Sequence, residues 1–507
     1  MNQKTTPALA PILVYQPALR PVLPCVCGPV DFRDYRDRLV EIDRMLDQGG
    51  VEARFVQSAA AEHAATLAGA SAKDVARFAR ASALALRCNL ARTLTGLSYR
   101  EFAVRCAESS LLQWFLRIAD LERVNVPAKS TLARFNQWVS EATMSPVHDL
   151  LITQAVTPAG VGTPQPLALL EPVDASEVFF DATCLKANIH FPVDWVLLRD
   201  ITRTLMKATL LIRREGLKQR MPHEPLRFLS AMNKLAMAMS ASARKPEAKK
   251  QRKRVLRKMK ALERKIMGHA AAHRDLLQQR WRETDWSEHQ AQVIIARIDH
   301  VITQVPAAIR QAHERIIGER PVPNEEKILS LYDPAVEVLK RGKAGAEVEF
   351  GNKLWLGETR AGLIVDFKLL TEVAADTSLV LPGVQRLKAS LKLDLKQVWG
   401  DRGLASKQNE KALEQLHVKS GLCPRDPAEL QRRLAEDAGF GAGLKRRGST
   451  EARIAILNAF LGNPCRAKGL VARKLAVSWA VLTHNLWLLA RLKIKQERVA
   501  AARAKAA

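Results

Sequence analysis

The feature that most constrains the fold is the spacing of strand patterns along the chain. Residues 177–183 (Glu-Val-Phe-Phe-Asp-Ala-Thr) are rich in the β-branched and aromatic residues typical of a short buried strand. Residues 195–318 carry no strand pattern and are rich in Leu, Ala, Lys, Arg and Glu, which favour helix. Strand patterns return only at residue 346. A sheet built from this chain must therefore join segments from both sides of a long helical stretch.

The patterns beyond residue 346 predict the remaining strands. In chain order, these strands are expected at residues 348–356, 363–367, 395–399 and 416–422. The segment Gly357–Gly362 provides the turn between the first two, and helices are expected at residues 382–391 and from Ser406. This order predicts a mixed α+β fold. Its mixed sheet is flanked by helices, with a large all-helical insertion after the first strand and an all-α N-terminal domain.

Shifts in composition indicate where the domains begin and end. Prolines dominate the N-terminus, and Pro and Gly punctuate a second stretch before the first strand. The predicted parts are a Pro-rich extended arm at 1–30, a helical domain at 31–145, a linker at 146–176, a sheet domain at 177–195 and 340–490, a basic helical insertion at 196–339, and a basic tail at 491–507.

Within the N-terminal helical domain, residues 98–138 predict three short helices. Ser98 and Glu101 have the spacing of a capping box, and Ser130-Thr131 is expected to cap the third helix. Exposed basic residues on such helices suit a helix-turn-helix that binds DNA. The candidate contacts are Arg100, Lys129 and Arg134. An ordinary three-helix bundle explains the same pattern equally well.

The charge balance indicates a polyanionic partner. The chain has 79 Lys and Arg against 52 Asp and Glu, a formal net charge of +27. Because each neutralised phosphate releases condensed counterions, nucleic acid is the first candidate partner and an anionic membrane is the second. A basic soluble protein with no such partner is the plainer alternative.

Basic residues are densest at Arg244–Lys265, where only Glu247 and Glu263 oppose them. Apolar residues recur in this run at helical spacing, which predicts a long helix with one cationic face. Such a face is commonly just solvated, but the self-repulsion of an almost single-signed run favours an anionic partner. The candidate phosphate contacts here are Arg252, Lys253, Arg254 and Arg257.

Three features predict a cytoplasmic protein without a membrane partner. The N-terminus lacks the basic and apolar regions of a secretory signal. The longest apolar run, Leu475–Ala490, contains His484 and Asn485 and is shorter than the ~20 residues of a membrane span, so a buried helix is expected. Seven scattered cysteines suit free thiols in a reducing compartment.

Three separated carboxylates are the candidate catalytic and metal-binding residues: Asp181, Asp401 and Glu451. Asp181 lies in the first predicted strand, Asp401 follows a later strand between glycines, and Glu451 lies near the start of a helix expected to be capped by Ser449-Thr450. Hard cations such as Mg²⁺ prefer carboxylate oxygens, and two such ions about 4 Å apart assist phosphodiester cleavage. Individually, Asp401 also suits a turn and Glu451 also suits a helix dipole.

Several short blocks containing these residues resemble a known family in the same order along the chain. They are Phe180–Thr183, Gly345–Lys353, Trp399–Gly403 and Arg446–Glu451, with Ser98–Trp138 before them and Trp479–Trp487 after them. With these blocks the chain resembles a bacterial insertion-sequence transposase of the DDE type, which has an RNase H-like catalytic domain.

The resemblance implies cleavage and strand transfer of double-stranded DNA, namely the ends of a mobile element and its target. The acidic trio would bind two Mg²⁺ ions, for which Mn²⁺ can substitute. Arg447 would contact a DNA phosphate, with Arg446 and Lys445 beside it. The enzyme would act in the bacterial cytoplasm at the nucleoid, as a homodimer or larger assembly on paired DNA ends.

The chain departs from the family pattern at two positions. Leu444 stands where a Tyr is expected before the arginine, and Asn458 where a Lys is expected after the glutamate. The missing cation would have to come from elsewhere; the candidates are Arg453, Arg466 and Lys468. The segment 188–194 also resembles one that follows the first aspartate in some relatives. Its His190 or Asp194 would touch metal or DNA, or the segment merely orders the strand exit.

Three alternatives remain for the function. A decayed transposase acting as a repressor would bind DNA without cleaving it. An RNase H-like structure-specific nuclease would cleave junctions or hybrids without requiring terminal sequences. A basic coiled-coil scaffold would have no activity that depends on Asp181.

Overall fold

A computed structural model describes residues 22–120, 122–160, 165–241, 247–343, 346–372 and 374–506. These residues form two compact units. The first combines the chain up to Lys186 with the chain from Asn352 onwards, and the second comprises Ala187–Gly351. The predicted mixed α+β class is confirmed, since helices accompany a mixed sheet of six strands.

The helices in chain order are α1 (Val30–Asp47), α2 (Val51–Glu62), α3 (Ala64–Leu67), α4 (Ala72–Thr95), α5 (Tyr99–Glu108), α6 (Ser110–Leu116), α7 (Lys129–Asn136), α8 (Glu141–Val156), α9 (Asp194–Arg214), α10 (Pro225–Ala241), α11 (Ala248–Arg280), α12 (Glu288–Ile316), α13 (Val380–Ala389), α14 (Lys407–Gln415), α15 (Pro427–Glu436), α16 (Ala438–Arg447), α17 (Ser449–Leu461) and α18 (Leu470–Ala506). Short 3-10 helices lie at Trp281–Glu283, Asn324–Glu326 and Asp376–Leu379.

The strands are β1 (Glu177–Lys186), β2 (Glu337–Lys343), β3 (Ala346–Thr359), β4 (Ile364–Leu369), β5 (Gln397–Gly400) and β6 (Lys419–Leu422). Their order is β2-β3-β1-β5-β6, with β4 also paired to β3. The β2–β3 and β3–β4 pairs are antiparallel, whereas β1–β5 and β5–β6 are parallel. β2 was not predicted, because its sequence (Glu-Val-Leu-Lys-Arg-Gly-Lys) contains only two apolar residues.

Contacts at both ends of β1 show that it runs antiparallel to β3. Beyond the end of β1, the amide of Ala187 donates to the carbonyl of Phe350. At its start, Glu177 accepts a hydrogen bond from Arg360, which follows β3. β1 therefore has an antiparallel neighbour on one side and a parallel neighbour on the other.

In the first unit, the N-terminal helices share one apolar core with the sheet and with α18. Residues 146–156, predicted as part of a linker, lie instead in α8. The basic tail predicted from residue 491 begins inside α18, where buried Lys493 donates to Glu41 at 2.6 Å. The Pro-rich arm was predicted at 1–30; its residues 1–21 lie outside the described part of the chain, and α1 begins at Val30. Composition did not reveal these boundaries, because α8 and α18 pack mainly against residues that are distant from them in sequence.

Two of the predicted helix starts are confirmed and two are wrong. Ser98 and Glu101 form the capping box before α5, and Ser406 caps α14. Residues 130–131 lie inside the first turn of α7, which has no side-chain cap. Residues 449–450 likewise lie inside α17, which follows Gly448 without a side-chain cap.

α18 is the one described helix that is long and apolar enough to cross a membrane. Within its most apolar window 78% of the helix is buried inside the protein. It packs against α1, α4, α8, α17 and β4. The prediction of a buried helix at residues 475–490 is confirmed.

The second unit is built mainly from α9, α10, α11 and α12, which enclose an apolar core of their own. The stretch 195–318 contains no strand among its described residues, as its composition predicted. Val255, Leu256, Met259 and Ile266 form the buried side of α11. The basic residues of this helix are thereby directed to its other sides.

Candidate active site

The parallel pairing of β1 with β5 brings two of the predicted carboxylates to the same end of adjacent strands. Phe179 lies opposite Trp399 in the register of the two strands. Asp181 and Asp401 each follow two residues later, so both lie at the carboxyl end of this pair. Side chains alternate along a strand, so Asp181 shares the face of Phe179. The Phe179 and Trp399 rings stack there, 5.8 Å apart and 8° from parallel.

α16 packs closely on this face because it carries a glycine where it meets the sheet. A Cβ added to Gly443 would lie 2.0 Å from the ring of Trp399, and one added to Gly421 of β6 would lie 2.4 Å from the same ring. Phe440 of α16 also contacts Trp399, with ring centroids 5.9 Å apart. The chain then passes through Gly448 directly into α17, which packs against β1.

A buried glutamate on β3 ties the two helices to the sheet. Glu358 is 1% exposed. Its Oε1 accepts hydrogen bonds from Arg446 Nη1 at 3.1 Å and from Thr450 Oγ1 at 2.8 Å, and its Oε2 accepts one from Arg453 Nε at 3.0 Å. Arg446 also donates to the carbonyls of Thr359 and Arg360. We call these four residues (Glu358, Arg446, Thr450 and Arg453) the Glu358 clamp.

Asp181 lies in the electrostatic field of the other predicted site residues. Its pKa is raised to about 6, mainly by burial. The charges of Asp401 and Glu451 raise this pKa further, whereas the amide of Ala182 and the charge of Arg447 lower it. β1, the end of β5, and the α16–α17 junction therefore bring all four predicted residues around one region.

The donor set suits a hard divalent cation, since carboxylates are its preferred protein ligands and Asp181 is half-buried. In the described part of the chain, no three His, Cys, Asp or Glu side chains are grouped closely enough to hold an ion together. Glu451 is exposed in the first turn of α17, and Asp401 Oδ1 accepts from the amide of Leu404. Mutual repulsion of like charges favours such separation.

The three consecutive basic residues at the end of α16 have different environments. Lys445 is exposed. Arg446 belongs to the Glu358 clamp and lies over Phe179 at 4.8 Å, so its guanidinium is already engaged inside the protein. Arg447 is half-buried and acts on Asp181 through its charge. Of the three, Arg447 combines nearness to the carboxylates with partial exposure.

The candidate contacts in the N-terminal helices are all exposed. Arg100 lies on α5, while Lys129 and Arg134 lie on α7, and the two helices pack together. Arg134 donates to Thr131 on its own helix at 3.2 Å. These positions are compatible with contact to a large anionic surface.

The four candidate cations of α11 fall into two pairs. Arg252 lies 5.5 Å over the ring of Trp195, and Lys253 forms an ion pair with Glu319 at 2.8 Å. Arg254 and Arg257 are exposed, as are four further cations: Lys250, Lys258, Arg264 and Lys265. None of these six forms an ion pair within the described ranges. We call these six residues the α11 stripe. Lys250, Lys258, Arg264 and Lys265 were not named as candidate contacts from the sequence.

Two of the three proposed substitutes for the missing family lysine are engaged elsewhere. Arg453 bonds to Glu358, and Arg466 Nη1 donates to the carbonyl of Gly96 at 2.5 Å. Lys468 is exposed.

In the second unit, Asp194 is buried at the start of α9 and bonds to Gln311 and Arg315, which supports the interpretation of segment 188–194 as an ordered strand exit.

Sequence reasoning missed Glu358 and Arg425. Glu358 fell in the predicted turn 357–362, where a polar residue needs no further explanation. Arg425 follows β6 and donates to the carbonyls of Arg402 and Gly403, bracing the loop after Asp401. Its position three residues beyond a predicted strand was the only available signal.

No family model, curated protein or solved structure matches this chain, so the assignment of a function depends on the geometry of its own residues.

Proposed function

We propose that this chain is a DNA transposase, an enzyme that cuts and rejoins DNA strands at a carboxylate site formed by Asp181, Asp401 and Glu451. The observation that carries the proposal is the matched register of β1 and β5, which brings Asp181 and Asp401 to the same end of adjacent parallel strands. The effect of Glu451 and Arg447 on the pKa of Asp181 adds the other two residues to this region.

The strand order supports an RNase H-like fold for the sheet. Apart from β2, which belongs to the second unit, the order is β4-β3-β1-β5-β6. The three strands that come first in the chain form the antiparallel part, with β1 at the centre of the sheet, and the two later strands continue in parallel from β1. This arrangement is compatible with the mixed sheet that the family resemblance implies.

The chemistry requires little covalent participation by the protein. When bound, divalent cations such as Mg²⁺ neutralise charge on the attacking and leaving oxygens and make bound water more acidic. Asp181, Asp401 and Glu451 are the residues that would hold them, and Arg447 would bind a neighbouring phosphate. Hydrolysis frees a 3′-hydroxyl, which then attacks a target phosphate. Both reactions are in-line phosphoryl transfers, so one site serves both.

Double-stranded DNA as the partner is supported by exposed cations in both units. The first unit offers Arg100, Lys129 and Arg134, and the second offers the α11 stripe. At the 1.5 Å rise of a helix, the stripe from Lys250 to Lys265 extends over roughly 22 Å, enough to cross several phosphates. Assembly into a homodimer or larger complex on paired DNA ends belongs to the same proposal.

A nicking assay tests the proposal. The purified protein is incubated with Mg²⁺ or Mn²⁺ and with DNA that carries the genomic sequences flanking the gene on both sides. Asp181→Asn, Asp401→Asn and Glu451→Gln should each lower the nicking rate by about 1,000-fold or more, since each removes a charged ligand. DNA affinity should stay within about threefold in these variants, because the phosphate contacts remain.

Other outcomes of this assay favour the alternatives. Specific binding without metal-dependent nicking by the wild type would favour a repressor. Cleavage of junctions or hybrids that lack the terminal sequences would favour a structure-specific nuclease. If Asp181→Ala changed no activity at all, a scaffold would remain.

A further inference from the structure

We infer that Glu358 is a positioning residue that holds Glu451 at the carboxylate site and thereby sets the affinity of that site for a divalent cation. This inference rests on the proposed function. It concerns a residue that touches neither the substrate nor the ion, and that acts through the start of α17.

The first step is the direct link from Glu358 to the residue that precedes Glu451. Thr450 is fully buried and donates its hydroxyl to Glu358 Oε1 at 2.8 Å. Consecutive Cα atoms are about 3.8 Å apart, so a displacement of Thr450 must displace Glu451. α17 has no side-chain cap at its N-terminus, and the hydroxyl bond from Thr450 to Glu358 joins this first turn to β3.

The second step is that the same carboxylate holds both sides of the α16–α17 junction. Arg446 lies one residue before Arg447, and Arg453 lies two residues after Glu451; both guanidiniums bond to Glu358. One buried side chain on β3 therefore binds the chain on both sides of the junction. Arg447 and Glu451 lie between these anchoring points along the chain.

The third step is charge. Glu358 is 1% exposed, and the side chains of Arg446 and Arg453 are 15% and 16% exposed. Without the negative charge of Glu358, two largely buried cations would lose their shared anion, which is costly even though Arg446 keeps its bonds to the carbonyls of Thr359 and Arg360. Loss of the Glu358 charge therefore weakens the attachment of α17 to β3.

Glu177 provides a matched control at the start of β1. Its carboxylate also bonds an arginine and a tryptophan, through Arg360 at 2.5 Å and Trp399 at 3.3 Å. Within the described part of the chain, it forms no hydrogen bond to α16 or α17. Glu177→Gln should therefore lower stability without changing the affinity of the carboxylate site.

The experiment measures Mn²⁺ binding to the full-length protein by titration calorimetry, well below the unfolding temperature of each variant. Glu358→Gln should weaken Mn²⁺ binding by about tenfold or more, as loss of a group that orients metal ligands typically does. Thr450→Val should weaken it by a smaller factor of about threefold, because one of three donors is lost. Glu177→Gln should bind Mn²⁺ like the wild type.

Thr450→Val also protects the test against a Glu358 variant that fails to fold. If folded Thr450→Val and Glu358→Gln proteins bind Mn²⁺ as tightly as the wild type, Glu358 is merely structural and the inference is overturned. Equal weakening in Glu177→Gln would overturn it as well, since the effect would then be general. Failure of the wild type to bind Mn²⁺, with Asp181→Asn indistinguishable from it, would instead remove the proposed function and this inference with it.

Discussion

The two ends of one face of the sheet differ in how far the negative charge of their carboxylates is neutralised by neighbouring donors. At the start of β1, Glu177 bonds to Arg360 and Trp399, and on β3 the buried Glu358 has three side-chain donors. At the carboxyl ends of β1 and β5, Asp181 accepts the amide of Ala182 and lies near two further acids and one arginine. The first end is neutralised by the protein, and the second carries excess negative charge.

This difference distinguishes carboxylates that stabilise a fold from those available to a ligand. A buried acid with strong donors is neutralised by them and fixes its neighbours. A buried acid among other acids has a raised pKa, as Asp181 does, and gains from an added cation. Perturbed acids of the second kind cluster at functional sites, which is why the carboxyl end of the sheet is the candidate site.

The largest expected effect tests the packing that brings the two ends together. Gly443→Ala should destabilise the protein by about 4 kcal/mol, above the usual range for overpacking, because its Cβ would lie 2.0 Å from Trp399. Gly441→Ala is the control in the same helix, since its Cβ would meet only Leu434, at 3.4 Å. Denaturant unfolding measures both. Equal stability of the two variants would mean that α16 does not approach the sheet through Gly443.

A second prediction contrasts two adjacent arginines: Arg446, which bonds to Glu358, and Arg447, whose charge acts on Asp181. Arg446→Ala should destabilise the protein by about 3 kcal/mol, because it leaves Glu358 buried with fewer donors. Arg447→Ala should change stability little and should weaken DNA binding by about three- to tenfold at moderate salt. Thermal unfolding and fluorescence anisotropy measure the two effects. The contrast fails if both variants behave alike in both measurements.

The smallest expected effect uses a third buried carboxylate, in the second unit. Glu263 of α11 is fully buried and accepts one hydrogen bond, from Thr202 at 2.7 Å. Burial raises the pKa of Glu263 to about 8, and the bond from Thr202 opposes this. Because the folded pKa lies above that of the unfolded chain, the unfolded state loses its proton first. Stability should therefore fall as pH rises from about 4.5 to about 8.

Glu263→Gln removes this titration. The variant should be more stable than the wild type at pH 8 by about 1.5 kcal/mol and nearly equal to it at pH 4.5, as measured by denaturant unfolding at the two pH values. A gain that is the same at both pH values would show that the carboxyl does not titrate on folding. That result would mean that burial alone does not raise a carboxyl pKa in this protein, and that the neighbouring acids of Asp181 are needed as well.

Local patterns in the sequence were enough to predict much of the fold. Periodicity predicted the strandless helical stretch and the buried side of α11, and turn chemistry predicted the β3–β4 hairpin. The capping box at Ser98 and the cap at Ser406 were also identified from side-chain spacing. These features depend on residues within a few positions of one another, where sequence and structure are directly linked.

The sequence by itself determined which residue types are present and which local elements they favour, including three carboxylates on the expected supports. Only the tertiary structure decided their neighbours: that Asp181 and Asp401 share a register, that Glu358 binds two helices, and that Arg446 turns inward while Arg447 lies near the acids. No rule based on neighbouring residues in the sequence distinguishes Arg446 from Arg447. Their difference arises from strands and helices that are far apart along the chain and close in space, where burial and charge are set by the partners.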